Sequence, residues 1–283
     1  MADGALAGMG ILITGGGTGI GRACAAALAA DGATVVVCGR TAGRLEATVA
    51  GIEPGHGGSA HAVEADVTVE DDVRRAVAAT VEAAGLLTGV VANAGGGGAL
   101  APHHLQNLEA YEAVLRLNVV GTMLCVKHSV PAMVAAGGGS FVGMSSLAGH
   151  VTHPHFGAYP AAKAAIEQMM RNAADEYGAS GVRFNAVRPG FIATEVMEAI
   201  PRDSDVYDSY VRNTPLAPTV EGGVGEPSDV AALVRFLVGP ESRWITGTSI
   251  AVDGGQALRS GPDFSSFLAG LGDNVLGSSL PEA

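Results

Sequence analysis

Tyr159 and Lys163 stand one helical turn apart in Tyr159-Pro-Ala-Ala-Lys163, so a helix would present a phenol and an ammonium on one face. The mostly apolar run behind them, through Ala165, Ile166 and Met169, predicts that this helix continues to about residue 179. A free phenol loses its proton at a pH of about 10. A neighbouring cation favours the phenolate, so Lys163 is expected to lower the Tyr159 pKa and suit it to proton transfer near neutrality. Pro160 is compatible with such a helix only in its first turn, where no backbone N–H is required.

A second stretch able to support chemistry is Thr14-Gly15-Gly16-Gly17-Thr18-Gly19-Ile20-Gly21, placed where an apolar run gives way to helical spacing. Gly15 permits a tight turn, Gly19 lets the backbone approach a pyrophosphate, and Gly21 lets a helix pack closely on a sheet. The N-terminus of that helix offers free N–H groups and partial positive charge to phosphate. With 42 glycines in the chain, the strand–loop–helix context carries this signal, not the glycines themselves.

These groups need elements to hold them. Strand-like runs at 9–14, 34–38, 59–65, 89–93, 140–144, 182–187 and 249–252 are separated by helical patterns at 19–31, 42–52, 70–84, 108–136, 159–179 and 227–238. Short apolar runs joined through helices predict an α/β fold: a doubly wound parallel sheet, Rossmann-like, covered on both faces. No repeat or linker interrupts it, so residues 1–283 are expected to form a single domain.

Composition sets limits on function. Charged residues are 16% of the 283 and apolar residues 48%, a balance that excludes a disordered chain and predicts extensive burial, subunit contacts included. A net charge of −12 argues against nucleic-acid binding, which rests on Lys and Arg neutralising phosphate. No apolar run approaches membrane-spanning length, and the N-terminal residues lack a secretory pattern. Cys24, Cys38 and Cys125 are scattered through apolar patterns, as expected for buried thiols in a reducing cytoplasm.

The Gly-x3-Gly-x-Gly loop together with Tyr-x3-Lys resembles the short-chain dehydrogenase/reductase family, and further matches follow in order over residues 9–255. Asn93-Ala94-Gly95 ends the fourth strand, Asn118 lies in the long helix, Ser146 precedes Tyr159, and Pro189-Gly190 and Thr194 follow the sixth strand. The resemblance implies catalysis by Asn118, Ser146, Tyr159 and Lys163, with Tyr159 as acid/base and Ser146 polarising the substrate oxygen. Lys163 would also bind the nicotinamide ribose, and Asn118 would complete a proton relay through water. Ser145 is the competitor for Ser146. The resemblance further assigns dinucleotide contacts to Gly15, Thr18, Gly19, Ile20, Gly21, Arg40, Asp66, Val67, Asn93, Ala94, Gly95, Tyr159, Lys163, Pro189, Gly190, Ile192 and Thr194. Where an acidic residue at the end of the second strand would select NAD(H), this chain has Gly39 followed by Arg40, with Arg44 beyond. That implies NADP(H), with NAD(H) as the alternative. One departure is Ala92, where the family usually has a further asparagine.

The implied reaction interconverts a ketone and a secondary alcohol on an apolar small molecule, such as a 3-oxoacyl or steroid-like carbonyl. The alternatives are an enoyl-thioester reductase and a non-catalytic NADP-sensing module. Residues 191–226, mixing Phe191, Ile192, Val196, Met197 and Ile200 with acids such as Glu195 and Glu198, are expected to form a substrate lid. Residues 256–283, with Phe264, Phe267, Leu268, Leu271 and Leu276, exceed the family's usual length and form a C-terminal extension. His150, His153 and His155 share one loop before Tyr159, but Pro154 and the lack of an acidic or cysteine partner favour a substrate-lining role over zinc, so no metal is expected. His103 and His104 read as loop surface. Small and apolar residues along the Tyr159 helix (Ala161, Ala165, Met169 and Ala173, with Ile166, Met170 and Ala174 beside them) predict pairing with a second subunit, hence a homotetramer or a dimer.

Overall fold

The structure is a computed structural model that describes residues 4–195, 197 and 200–259. Seven parallel strands form one sheet in the order β3-β2-β1-β4-β5-β6-β7. They are β1 Gly10–Thr14, β2 Thr34–Gly39, β3 Ser59–Glu64, β4 Gly89–Ala92, β5 Gly139–Met144, β6 Val182–Pro189 and β7 Ser249–Val252. The helices are α1 Gly19–Ala30, α2 Ala42–Ala50, α3 Glu70–Ala84, α4 Leu108–Leu115, α5 Gly121–Ala135, α6 Ala158–Tyr177, α7 Asp205–Arg212 and α8 Pro227–Val238.

Period-two alternation in the strands divides the core into two layers. Leu12, Val36, Val90, Phe141 and Phe184 face α3, α5 and α6, while Ile11, Ile13, Val35, Val37, Val91, Val142 and Val187 face α1, α2 and α8. Strand order reverses between β1 and β4, which opens a crevice at their carboxyl ends. The doubly wound α/β fold expected from the pattern is therefore the fold observed.

The helical stretch Leu108–Ala135 is, against expectation, long and apolar enough to cross a membrane by length and composition. Here Leu124, Cys125, Val130 and Met133 fill the first core layer. The stretch is also not one regular helix. Arg116–Val120 is a π turn between α4 and α5. Its cause is local: the Asn118 Nδ2 donates to the Val114 carbonyl at 2.9 Å, taking the acceptor that the backbone N–H of a regular helix would use.

Segment 191–226 folds back on itself. Ile192 bridges Gly225, Ala193 N–H donates to the Gly225 carbonyl, and Gly225 N–H donates to Phe191. Phe191, Tyr207 and Val224 make a small apolar cluster of their own, joined by Ala193, Met197, Ile200, Tyr210 and Val211. The Ser204 hydroxyl caps α7 by accepting from Tyr207 N–H at 3.2 Å. The expected contributions of Val196 and Glu198, and of Phe264 through Leu276 in the extension, lie outside the described residues.

The apolar stripe of α6 divides between two roles. Ile166, Met170, Ala173 and Ala174 are buried in the chain's own core, which leaves Ala161 exposed and Ala165 and Met169 half-buried. The stripe is wide because it wraps the sheet, so only its outer edge is left for a second subunit.

Candidate active site

The glycine loop adopts the geometry its residues allow. Gly15 has φ +66°, and a Cβ there would lie 2.9 Å from the Ala94 Cα. A Cβ on Gly21 would come within 2.2 Å of the Gly15 carbonyl oxygen, so Gly21 brings α1 against the loop rather than facing the crevice. Asn93 ties the crevice floor together: its Nδ2 donates to the carbonyls of Thr14 at 3.0 Å and Gly15 at 3.2 Å, and Ala94 N–H donates to the Thr14 hydroxyl.

At one end the crevice is lined by Gly39, Arg40, Thr41, Arg44, Asp66 and Val67. Asp66 Oδ1 accepts from both the Thr68 N–H and the Thr68 hydroxyl at 2.8 Å, which fixes its carboxylate beside β3. Through Gly15, Thr18, Ala94 and Gly95 this end runs into a cavity of about 760 Å³. That cavity is bordered by Gly19, Ile20, Asn93, Ser146, Tyr159, Lys163, Pro189, Gly190, Ile192 and Thr194. Of the residues assigned from sequence, only Gly21 and Asn118 border neither space. Asn118 is fully buried behind Gly95, where a Cβ would stand 2.6 Å from its Oδ1 and 3.0 Å from Lys163 Nζ. Asn118 and Lys163 thus converge on one glycine.

α6 supplies the other groups. Pro160 lies in its first turn, so no N–H is missed. Tyr159 and Ser146 border the same cavity, and the Ser146 hydroxyl accepts from the Ala148 N–H at 3.2 Å. The Lys163 ammonium lies 5.4 Å from the Tyr159 ring centroid and donates to the Met144 carbonyl at 2.9 Å. Burial raises the Tyr159 pKa, the nearby Ser146 hydroxyl lowers it in part, and the Tyr210 phenol adds to the rise. The expected lowering by Lys163 is not realised, because the cation sits over the ring face instead of at the phenol oxygen. Lys163 itself is 3% exposed, and burial lowers its pKa to about 8. An ammonium has three donors. Met144 is the one acceptor that Lys163 has among the described residues, so its remaining protons face the cavity unmatched, as a site for ribose hydroxyls requires. These unmatched donors, the open N-terminus of α1 and the two arginines fit a dinucleotide.

Ser145 and Ser146 separate cleanly. The Ser145 hydroxyl is buried with its one proton between two acceptors, the Lys163 carbonyl at 3.0 Å and Glu167 Oε1 at 2.8 Å, whereas Ser146 borders the cavity with Tyr159. Glu167 in turn receives Arg188 Nε on Oε1 at 2.6 Å and Arg188 Nη2 on Oε2 at 2.5 Å. Burial opposes ionisation of Glu167, but the Arg188 and Ser145 bonds outweigh it and hold the carboxyl below its ordinary value. The pair joins α6, the end of β5 and β6, the three elements that carry Lys163, Ser146 and Pro189. Sequence reading missed it, although an acid one turn beyond Lys163 on a buried stripe was an available signal.

The cavity wall is aromatic. Phe156 meets the Tyr159 ring edge-on with centroids 5.1 Å apart, and Phe191 stacks on Tyr210 at 4.1 Å. From the histidine loop, His153 borders the cavity, while His150 and His155 are exposed. His103 and His104 lie on an exposed 3₁₀ turn. Tyr210 and Gln256 also line the cavity and were not foreseen.

A family model described as enoyl-(acyl carrier protein) reductase matches residues 15–257. The chain is 36% identical over 244 residues to cis-4-hydroxycyclohexanecarboxylate dehydrogenase of Sinomonas cyclohexanicum, covering 86% of this chain and 94% of that protein. It is 37% identical over 246 residues to 2-(S)-hydroxypropyl-CoM dehydrogenase 3 of Xanthobacter autotrophicus, covering 87% and 95%. Among solved structures, a short-chain type dehydrogenase/reductase from Mycobacterium ulcerans superposes with a TM-score of 0.86 at 42% identity, over 94% of this chain and 96% of that one. The parallel sheet agrees with these matches, and the chain belongs to the short-chain dehydrogenase/reductase family.

Proposed function

We propose that the protein is an NADP(H)-dependent oxidoreductase that interconverts a ketone and a secondary alcohol on an apolar, ring-bearing small molecule. One observation carries the reading: Ser146, Tyr159 and Lys163 border one aromatic-walled cavity, with the Lys163 ammonium over the Tyr159 ring. When bound, reduced nicotinamide supplies the hydride. Tyr159 gives its proton to the substrate oxygen as the carbonyl becomes an alcohol, and takes one back in oxidation. Ser146 donates to the same oxygen and stabilises its developing charge. Lys163 would donate to the nicotinamide ribose hydroxyls, and Asn118, meeting it at Gly95, leads the replacement proton in through water.

Arg40, with Arg44 beside it, holds a 2′-phosphate, since Gly39 offers no carboxylate to repel one. Segment 191–226 is the substrate lid, closed at its base by the Ile192–Gly225 bridge. Two relatives named for a hydroxycyclohexane and a 2-hydroxypropyl substrate support secondary-alcohol chemistry, and the ring follows from the flat walls of Phe156, Phe191 and Tyr210.

A second reading, reduction of a carbon–carbon double bond in an enoyl thioester, draws on the description of the family model. Two hydroxyls bordering one cavity favour the carbonyl. The test is NADPH oxidation with cyclic ketones and enoyl thioesters. Cyclic ketones are expected to turn over, and Tyr159→Phe is expected to lower kcat by roughly 10²- to 10⁴-fold with NADPH binding retained. Turnover surviving in that variant, or turnover of enoyl thioesters alone, would overturn the assignment.

A further inference from the structure

We infer that the cavity holds a second polar pole that selects a ring substrate bearing a free hydroxyl away from the reacting carbon. The inference rests on the ketone-reductase reading above and narrows its substrate.

Most polar side chains around the cavity already have partners or a place on the dinucleotide side. Asn93 is bonded to Thr14 and Gly15, Glu195 is bonded to Arg22 at 2.6 Å, and Thr18 and Thr194 flank the glycine loop. Setting aside Ser146, Tyr159 and Lys163, His153, Tyr210 and Gln256 remain.

Their free atoms can be identified. His153 Nδ1 lies 2.9 Å from the Val151 carbonyl. A carbonyl only accepts, so Nδ1 carries the proton and Nε2 is left as the free acceptor of the neutral ring. Gln256 Oε1 is buried with no hydrogen-bond partner among the described residues. Tyr210 lies 6.2 Å from His153, centroid to centroid. Its helix is held to the turn that carries Gln256: the Thr214 hydroxyl donates to the Tyr210 carbonyl at 2.9 Å, and a Cβ on Gly254 would meet Thr214 at 2.6 Å.

Two acceptors and one phenol, which can give or take a proton, call for a donor. A hydroxyl supplies one. A second carbonyl or a carboxylate supplies none: it could take a hydrogen bond from the Tyr210 hydroxyl or the Gln256 amide but would leave both acceptors unmatched, and Lys163 is the only lysine or arginine among the described residues bordering this cavity. A site built to bond a substrate hydroxyl discriminates strongly against the analogue lacking it, because its own polar atoms are then left unmatched.

The test compares kcat/KM with NADPH for 4-hydroxycyclohexanone, cyclohexanone, cyclohexane-1,4-dione and 4-oxocyclohexanecarboxylate on the full chain. The hydroxyketone is expected to exceed each of the others by roughly 10-fold or more. Gln256→Leu and His153→Phe should each pull the hydroxyketone-to-cyclohexanone ratio towards one. That ratio is internal to each variant, so general damage to the enzyme cancels. A parallel arm measures Kd of cyclohexane-1,4-diol and cyclohexanol for the NADP⁺-bound protein, where the diol should bind more tightly by a similar factor. Equal kcat/KM for hydroxyketone and cyclohexanone, or a preference for the dione or the carboxylate, overturns the second pole and leaves ketone reduction standing. If no ketone turns over, the reductase reading falls, and the Kd arm decides the pole alone: equal binding, or none, sinks it.

Discussion

Arg40 is expected to decide between two dinucleotides, since the position where a carboxylate would repel a phosphate is Gly39 and the guanidinium lies at the crevice rim. Arg40→Asp should lower the ratio of kcat/KM for NADPH over NADH by roughly 10- to 100-fold, the scale of lost charge-assisted hydrogen bonds. Lys163 shows what burial does to a charge. Its pKa falls from 10.5 to about 8, so between these values the unfolded chain binds the proton more tightly than the folded one. The cost of burying the ammonium is full below about 8 and is relieved as pH rises towards 10.5. The stability of the wild type relative to Lys163→Met, read from urea midpoints, should therefore rise across that window. A flat difference would mean that burial leaves the Lys163 pKa at its unfolded value.

At the scale of elements, the Glu167–Arg188–Ser145 network holds three carriers of the site in register. Removing one partner of a buried, bidentate ion pair typically costs about 3–5 kcal/mol, because the other charge is left uncompensated. Glu167→Gln should approach that loss at pH 7 and lower kcat as Ser146 and Lys163 lose their common support. The Glu167 carboxyl is held below its ordinary value, so its contribution is present above the unfolded value of about 4.3 and fades as pH falls through the folded one. Chemical denaturation of both forms from pH 7 down to acid should show their difference shrinking; a constant difference would remove the ionised carboxylate from the account. The network also marks where sequence reading stopped. Tyr159 and Lys163 could be read because one helical turn fixes their distance, and the glycine loop because a strand–turn–helix junction has few solutions. Glu167 and Arg188 lie on different elements, so only the packing of α6 on β6 pairs them. The π turn at Asn118 depends on where one side-chain amide finds an acceptor, which periodicity does not encode. Tyr210 and Gln256 reach the cavity through the path of segment 191–226 and the turn after β7, and neither position follows from spacing.

For the whole molecule, the alternation of strands and helices was enough to read a parallel sheet covered on both faces, because each buried strand had to feed two apolar faces. Assembly is the next level. The outer edge of α6 and the chain's single tryptophan, Trp244 at 92% exposure, are surfaces that a lone subunit leaves in water. Sedimentation should give a homotetramer, or a dimer as the alternative, with Trp244 emission moving to the blue as the assembly forms. A monomer at micromolar concentration would exclude both. Segment 191–226 has a consequence of a different kind. Its two ends meet at the Ile192–Gly225 bridge, and it carries its own apolar cluster around Phe191 and Tyr207. It can therefore be exchanged as a cassette: evolution, or an engineer, can trade this lobe for a relative's and change what the enzyme accepts, as long as Ile192 and Thr194 stay beside the glycine loop.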